Sequence, residues 1–189
     1  MRIFVAGLLG ALVLFLWSFV AHMTLPIGEM GMKTATNQEA AIAALQASAD
    51  SGAGVYMLPG MEPEQWRDEA AMSAFVEKYK ASPSAFVVYQ PNPNPSLSTM
   101  GPALAKQFAS SLVVTLLAAW ILAIGGFSFG QRVAAGTAMG VIAWFLVSVP
   151  YWNWYCVPLD FTIAAWLDWG IGMALASVAM AWWLGRRRT

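Results

Sequence analysis

Four stretches of this chain are apolar over the roughly 20 residues that a bilayer-crossing helix requires. They run from residue 3 to about 25, from about 107 to 127, from about 133 to 150 and from about 161 to 184. The first carries no formal charge, only His22 near its end, and the fourth contains a single acid, Asp168. Between the first and second lies a stretch of different character, residues 26–106, polar and rich in acids. The pattern predicts a membrane all-α fold: a four-transmembrane-helix bundle with a small α/β extracytoplasmic cap between helices 1 and 2. The divisions are residues 1–25, 26–106 and 107–189.

The polar stretch is well punctuated. Thr36-Asn37-Gln38-Glu39 has the form of a capping box, with Thr36 as the cap and Glu39 reaching back. It predicts a short alanine-rich helix over 38–49, broken at Ser51-Gly52-Ala53-Gly54. Val55-Tyr56-Met57-Leu58 is a short strand stopped by Pro59-Gly60. Pro63 opens a second helix to about Lys80, with Trp66, Ala70, Phe75 and Tyr79 available to face inward. After the break at Ser82-Pro83-Ser84, residues 85–89 form a second strand, and Pro91, Pro93 and Pro95 make an extended linker. Two strands flanking one helix predict a β-α-β cap. A segment of about 65 residues rarely buries enough apolar surface to be stable alone. Met57, Leu58, Met61, Phe86 and Val88 are therefore expected to pack on the membrane helices or on another protein.

Composition agrees with a lipid-embedded chain. Of 189 residues 59% are hydrophobic and only 11% charged, against about 25% charged in soluble domains. The net charge is zero, but its distribution gives a topology. Arg2, Arg132 and the triplet Arg186, Arg187 and Arg188 fall on one side of a four-span chain, with no acid among them. The opposite side holds Lys33, Arg67, Lys78, Lys80 and Lys106, together with Glu29, Asp160 and the other acids of the polar stretch. The positive-inside rule places the all-basic side, and both termini, in the cytoplasm. Aromatic residues mark the two interfaces: Tyr151, Trp152, Trp154, Tyr155, Trp166 and Trp169 at the outer one, Trp182 and Trp183 at the inner. The first apolar run exceeds the 7–15 residues of a signal-peptide core and lacks a small-x-small exit, so it is expected to remain as an anchor. A single cysteine, Cys156, excludes an intrachain disulfide and is too little for a cysteine-based zinc or iron–sulfur site.

Small residues at four-residue spacing supply the expected helix-packing faces: Gly7 with Ala11, Gly136 with Gly140, and Gly172 with Ala176. Such faces serve packing within the bundle or a homodimer equally well. Chemistry concentrates in one place. Asp168 falls about two turns into helix 4, roughly 9 Å deep, where a carboxylate is expensive enough that it should face the bundle. His22 near the end of helix 1, Ser110, Ser111 and Thr115 in helix 2, and Ser148 at the end of helix 3 reach the same level. The expectation is a small polar pocket in which His22 and Asp168 pair, with Glu29 and Asp160 at its rim. Such a pair could relay protons or orient a ligand; the blander alternative is a structural pair that fixes helix register. His22, Met23, Met30, Met32 and Cys156 are thin as a soft metal site, and Cys156 would need His22 as its base for catalysis. No phosphate loop, dinucleotide fingerprint or nucleic-acid-facing basic patch occurs.

Two runs carry a resemblance. His22-Met-Thr-Leu-Pro-Ile-Gly-Glu-Met-Gly31, and Tyr151-Trp-Asn-Trp-Tyr155 with Pro158, resemble those of a family of small bacterial inner-membrane proteins of uncharacterised activity. The likeness extends over most of the chain, including residues 56–60 and Val88-Tyr89-x-Pro91. It implies a bacterial inner membrane and no particular activity. Where members carry a glycine after the aromatic run this chain has Cys156, which argues against a required thiol. The leading expectation is a non-enzymatic accessory or scaffold subunit acting through its cap, with the bilayer and another membrane protein or a second copy as partners and no cofactor. The alternative is a small transporter or ligand-binding membrane protein using the His/Asp pocket. A membrane enzyme acting on lipid or quinone lacks a second catalytic group.

Overall fold

The computed structural model describes residues 1–49, 52–96 and 98–186; Ser51, Arg187 and Arg188 of the preceding section lie outside them. Four helices in it are long and apolar enough to cross a membrane: α1 (Arg2–Met23), α4 (Met100–Ile124), α5 (Phe129–Tyr155) and α6 (Leu159–Gly185). Three are longer than the hydropathy pattern alone predicts. Helix α4 begins seven residues earlier than 107, because the Met100–Lys106 run is helix-compatible even though too polar to count as a span. Helix α5 begins at a capping box: the Gln131 amide donates to Ser128 Oγ and the Ser128 amide to Gln131 Oε1. That motif lies in the connection between the second and third predicted spans. The same helix continues through Pro150 and ends on Cys156, whose φ of 54° is left-handed. Helix α6 then starts directly after Pro158.

The spans and the polar segment form two compact units, Met1–Met32 with Ser96–Thr189, and Lys33–Pro95. Within the first, α1 packs extensively on both α4 and α6, and α5 packs on α6, while α4 and α5 barely touch. The spans therefore follow the order α4–α1–α6–α5 in an open arc. Glycines set the spacing. Gly7 lies against Leu116, Gly172 against Leu14 and Trp17, Gly136 against Ser177, and Gly140 against Met173 and the backbone of Trp169. Ala11 and Ala176 are fully buried. All of the small-residue pairs read from the sequence thus lie on faces turned toward a neighbouring span of the same chain. The Gly136/Gly140 face considered for a homodimer is covered by α6. Large apolar side chains point the other way, as with Leu16, Val113 and Leu146, which are 60, 58 and 72% exposed and suited to lipid.

The second unit contains α2 (Gln38–Ser48), β1 (Gly54–Leu58), α3 (Glu69–Ala81) and β2 (Ala85–Tyr89). Two expectations are corrected here. Asn37, not Thr36, caps α2, its side chain accepting from the Ala40 amide at 3.1 Å; Asn37 lies one residue nearer the first helical turn. The helix expected from Pro63 is split into a 3-10 turn, Pro63–Arg67, and α3, which Asp68 caps through the Ala70 and Ala71 amides. Trp66 is consequently in the turn and 63% exposed rather than inward. The strands flank α3 in the expected β-α-β order and pair antiparallel, Leu58 opposite Ala85 and Gly54 opposite Tyr89. Leu58 and Ala85 are neighbours, so residues 59–84 leave and return at one end of the ladder: the turn leads out and α3 leads back.

The Gly140 contact generates a test. A Cβ there would lie 2.8 Å from the Trp169 carbonyl oxygen, which cannot move without bending α6. Gly140→Leu is expected to lower stability by about 1–3 kcal/mol, read as a reduced unfolding midpoint in detergent. An unchanged midpoint would show that α5 and α6 are not this close.

Candidate functional site

One residue of α6 organises the site. Asp168 follows the start of the helix by nine positions, about 13 Å at 1.5 Å per residue, deeper than the shorter predicted span implied. Two consecutive residues of α1 hold it. The Trp17 indole N–H donates to the Asp168 backbone oxygen at 3.0 Å. The Ser18 hydroxyl lies 3.1 Å from each carboxylate oxygen and donates its one proton to them. A carboxylate offers about four lone-pair sites, so most of its accepting capacity is unused. No lysine, arginine or histidine stands within ion-pair distance of it among the described residues, where Lys80–Glu77 is the ion pair formed.

The direct His22–Asp168 pair is therefore corrected: Ser18 stands between the two. Its hydroxyl meets Asp168, and its carbonyl oxygen lies 2.9 Å from His22 Nδ1. A carbonyl can only accept, so Nδ1 carries the proton and Nε2 is left without a hydrogen bond among the described residues. The i,i+4 spacing of Ser18 and His22 on α1 produces this arrangement. Backbone geometry keeps the imidazole there. The 3-10 turn Pro26–Glu29 folds back so that Gly28 packs on His22, and Gly31, at φ 76°, packs on Phe161. These are the glycines of the His22–Gly31 run.

Asp168 lines two cavities. One, of about 360 Å³, is bounded by His22, Gly28, Met30, Ser148, Tyr151, Phe161 and Trp169 among others. The second, about 560 Å³, is the cleft left where α4 and α5 fail to meet. Its walls include Ser110, Ser111 and Leu117 from α4 and Met139 and Val147 from α5, and its floor includes Ser18, Asp168 and Trp169. The second space was not legible in the sequence, because helix order around the bundle has no local signature. Both volumes fall in the range of small-ligand sites.

The remaining sequence candidates divide. Ser148 and Ser111 line a cavity. Thr115 does not: it is fully buried, and its hydroxyl reaches the Gly7 carbonyl of α1 and the Ser111 carbonyl, each at 2.8 Å. It fastens α4 to α1 beside the glycine that permits their approach. Asp160 accepts from the adjacent Phe161 amide at 3.0 Å, serving the first turn of α6. Glu29 is exposed at the end of the 3-10 turn whose residues Ile27 and Gly28 line the smaller cavity. Cys156 is exposed and lines neither cavity. Among the described residues no cluster of three or more His, Cys, Asp or Glu side chains is placed to hold a metal.

The chain matches no protein-family model, and no relative is found for it among curated proteins or solved structures.

The left-handed backbone at Cys156 gives a prediction that also bears on the thiol. A residue with a Cβ in that conformation is destabilised by about 1–2 kcal/mol, and glycine is not. Cys156→Gly should hold or raise the unfolding midpoint and leave any ligand response of the cavities unchanged. A clear fall in either would give the thiol a role that its position does not suggest.

Proposed function

We propose that the protein is a multi-pass membrane protein that binds an amphipathic ligand in the cleft between α4 and α5, with Asp168 as the counter-group for a cationic or hydrogen-bond-donating head. One observation carries the reading: a carboxylate deep in a spanning helix, held by a single hydroxyl, faces two ligand-sized spaces and meets no basic partner within ion-pair distance among the described residues. Ionisable groups at such depth are costly, and they are kept where they bind or conduct. The apolar walls above the polar floor fit an alkyl chain. His22, with Nε2 uncommitted, is a second polar contact on the side of the smaller cavity. The bacterial inner membrane, with both termini cytoplasmic, is part of this proposal and rests on the arginine distribution and the resemblance described above. In that orientation the cleft belongs to the outer leaflet.

The test uses purified protein in detergent with dodecylammonium and uncharged dodecanol as probes. The ammonium ligand should raise the unfolding midpoint of the native protein by several degrees, whereas the alcohol should not. Asp168→Asn should fold, since the amide oxygen still accepts from Ser18, and should lose the difference between the probes. Equal responses in both proteins would refute Asp168 as the counter-group.

A second reading, an accessory subunit working through the polar segment, is favoured by a different observation. Among the described residues of Lys33–Pro95 only Ala49 is buried, and Ile42, Val55, Trp66 and Val88 are 56, 60, 63 and 75% exposed. So small a buried core needs a further surface for stability. Replacing residues 33–95 with a flexible linker should leave the spans folded and abolish co-purification of a stoichiometric partner. Recovery of the native protein without any partner would exclude the accessory reading.

A further inference from the structure

At the bundle end opposite Asp168, where α1 and α5 begin and α4 and α6 finish, three guanidinium groups converge on the last turn of α6. The Arg2 Nη2 donates to the carbonyls of Leu184 and Arg186, each at 2.7 Å. Arg132 Nε donates to the Leu122 carbonyl near the end of α4, and its Nη1 is the side-chain atom nearest Gly185. The Arg186 guanidinium lies over the indole of Trp182, 4.6 Å from its centroid. These contacts satisfy terminal carbonyls that a helix leaves without partners. They do not neutralise the charge. The two helix C-termini at this end contribute about −0.5 each and the two N-termini about +0.5 each, so the helix dipoles cancel and leave three positive charges. Among the described residues of this unit the side-chain carboxylates are Glu29, Asp160 and Asp168, and none of them belongs to the helix ends that carry the collar. Each guanidinium has five N–H donors, so Arg2, Arg132 and Arg186 retain most of theirs, in the planar fork that pairs with phosphate oxygens.

We propose that this arginine collar is a binding site for the phosphate of an anionic phospholipid. The neighbouring surface decides in favour of a lipid over a soluble phosphate. Phe4, Ile124, Phe129 and Trp182 are 56, 66, 51 and 53% exposed around the collar. They give acyl chains an apolar surface directly beside the phosphate donors, at the helix ends where headgroups lie. Basic side chains converging from several spans are the arrangement that selects acidic headgroups over zwitterionic ones.

The experiment is native mass spectrometry of the full chain in detergent, equilibrated with equal amounts of phosphatidylglycerol and phosphatidylcholine. The expected result is retention of phosphatidylglycerol in excess by on the order of tenfold, lost in R132Q/R186Q. R186K should keep part of it, because the charge remains and the fork does not. If the double variant fails to fold, R186Q alone serves, with a smaller loss expected. Equal retention of the two lipids, or a folded variant that keeps the preference, would overturn the proposal. Displacement of phosphatidylglycerol by millimolar inorganic phosphate would overturn it too, since the site would then belong to a soluble anion. The measurement does not involve Asp168, so it stands or falls apart from the cleft.

Discussion

The approach of α6 to α1 and α5 is the constraint on which the membrane unit depends. Lipid offers no hydrophobic drive for helices to associate, because acyl chains are as apolar as leucine. What remains is van der Waals contact between backbones that can come close, and hydrogen bonds between spans. Gly172 admits α1, and Gly136 and Gly140 admit α6, with Ala176 fully buried one turn beyond Gly172. The polar contacts fall beside them: Trp17 and Ser18 to Asp168, Thr115 to the Gly7 carbonyl, and Trp144 to the Thr162 carbonyl at 2.7 Å. Each is worth about 0.6 kcal/mol, and at most about 1.7. They specify register more than they supply stability. At Gly136 the two effects meet, since the hydrogen that a Cβ would replace points at Ser177 Oγ, which has no other partner among the described residues.

The cleft follows from the same constraint. Because α1 and α6 each have two small-residue contacts and α4 and α5 share none of comparable closeness, the arc stays open on the α4/α5 side. A span order of this kind exposes a floor made by α1 and α6, and Asp168 with Ser18 sits on that floor. The two bundle ends then differ in kind. One carries a lightly held carboxylate and a histidine, and the other carries arginines that cover helix C-termini.

What could be read from the sequence was set by how local the signal is. The spans, their number and the small-residue stripes are local and periodic, and the structure has helices at all four places. Boundaries moved where a local motif competed with hydropathy: the Ser128/Gln131 capping box extended α5, and Asp68 divided the helix expected from Pro63. The antiparallel ladder could not be inferred, because two strands flanking a helix are compatible with either sense until the path of the connection is known. At the site, Asp168 was legible as a charge out of place, and Ser18 was visible only as part of a packing stripe. That Ser18 would separate His22 from Asp168 depended on helix rotation, which small-residue spacing alone does not determine. Thr115 was misassigned for a related reason. A threonine on the inner face of a span can bond into a cavity or into a neighbouring backbone, and Gly7 opposite it brought the backbone within reach.

The contacts of Asp168 also separate helix register from the role proposed for its side chain. Trp17 binds its backbone oxygen and Ser18 its side chain, so two adjacent residues of α1 meet one residue of α6. The first bond holds whatever side chain stands at position 168, and the Gly172 contact one turn further along α6 acts with it to set α1 against α6. A neutral acceptor would satisfy Ser18 as well as a carboxylate does, without the expense of an ionisable group in lipid. An ionisable side chain at position 168 is therefore more than Ser18 requires as an acceptor. Asp168 lies on the surface of α6 that the open arc leaves uncovered, where the proposed ligand rather than a neighbouring helix would meet it.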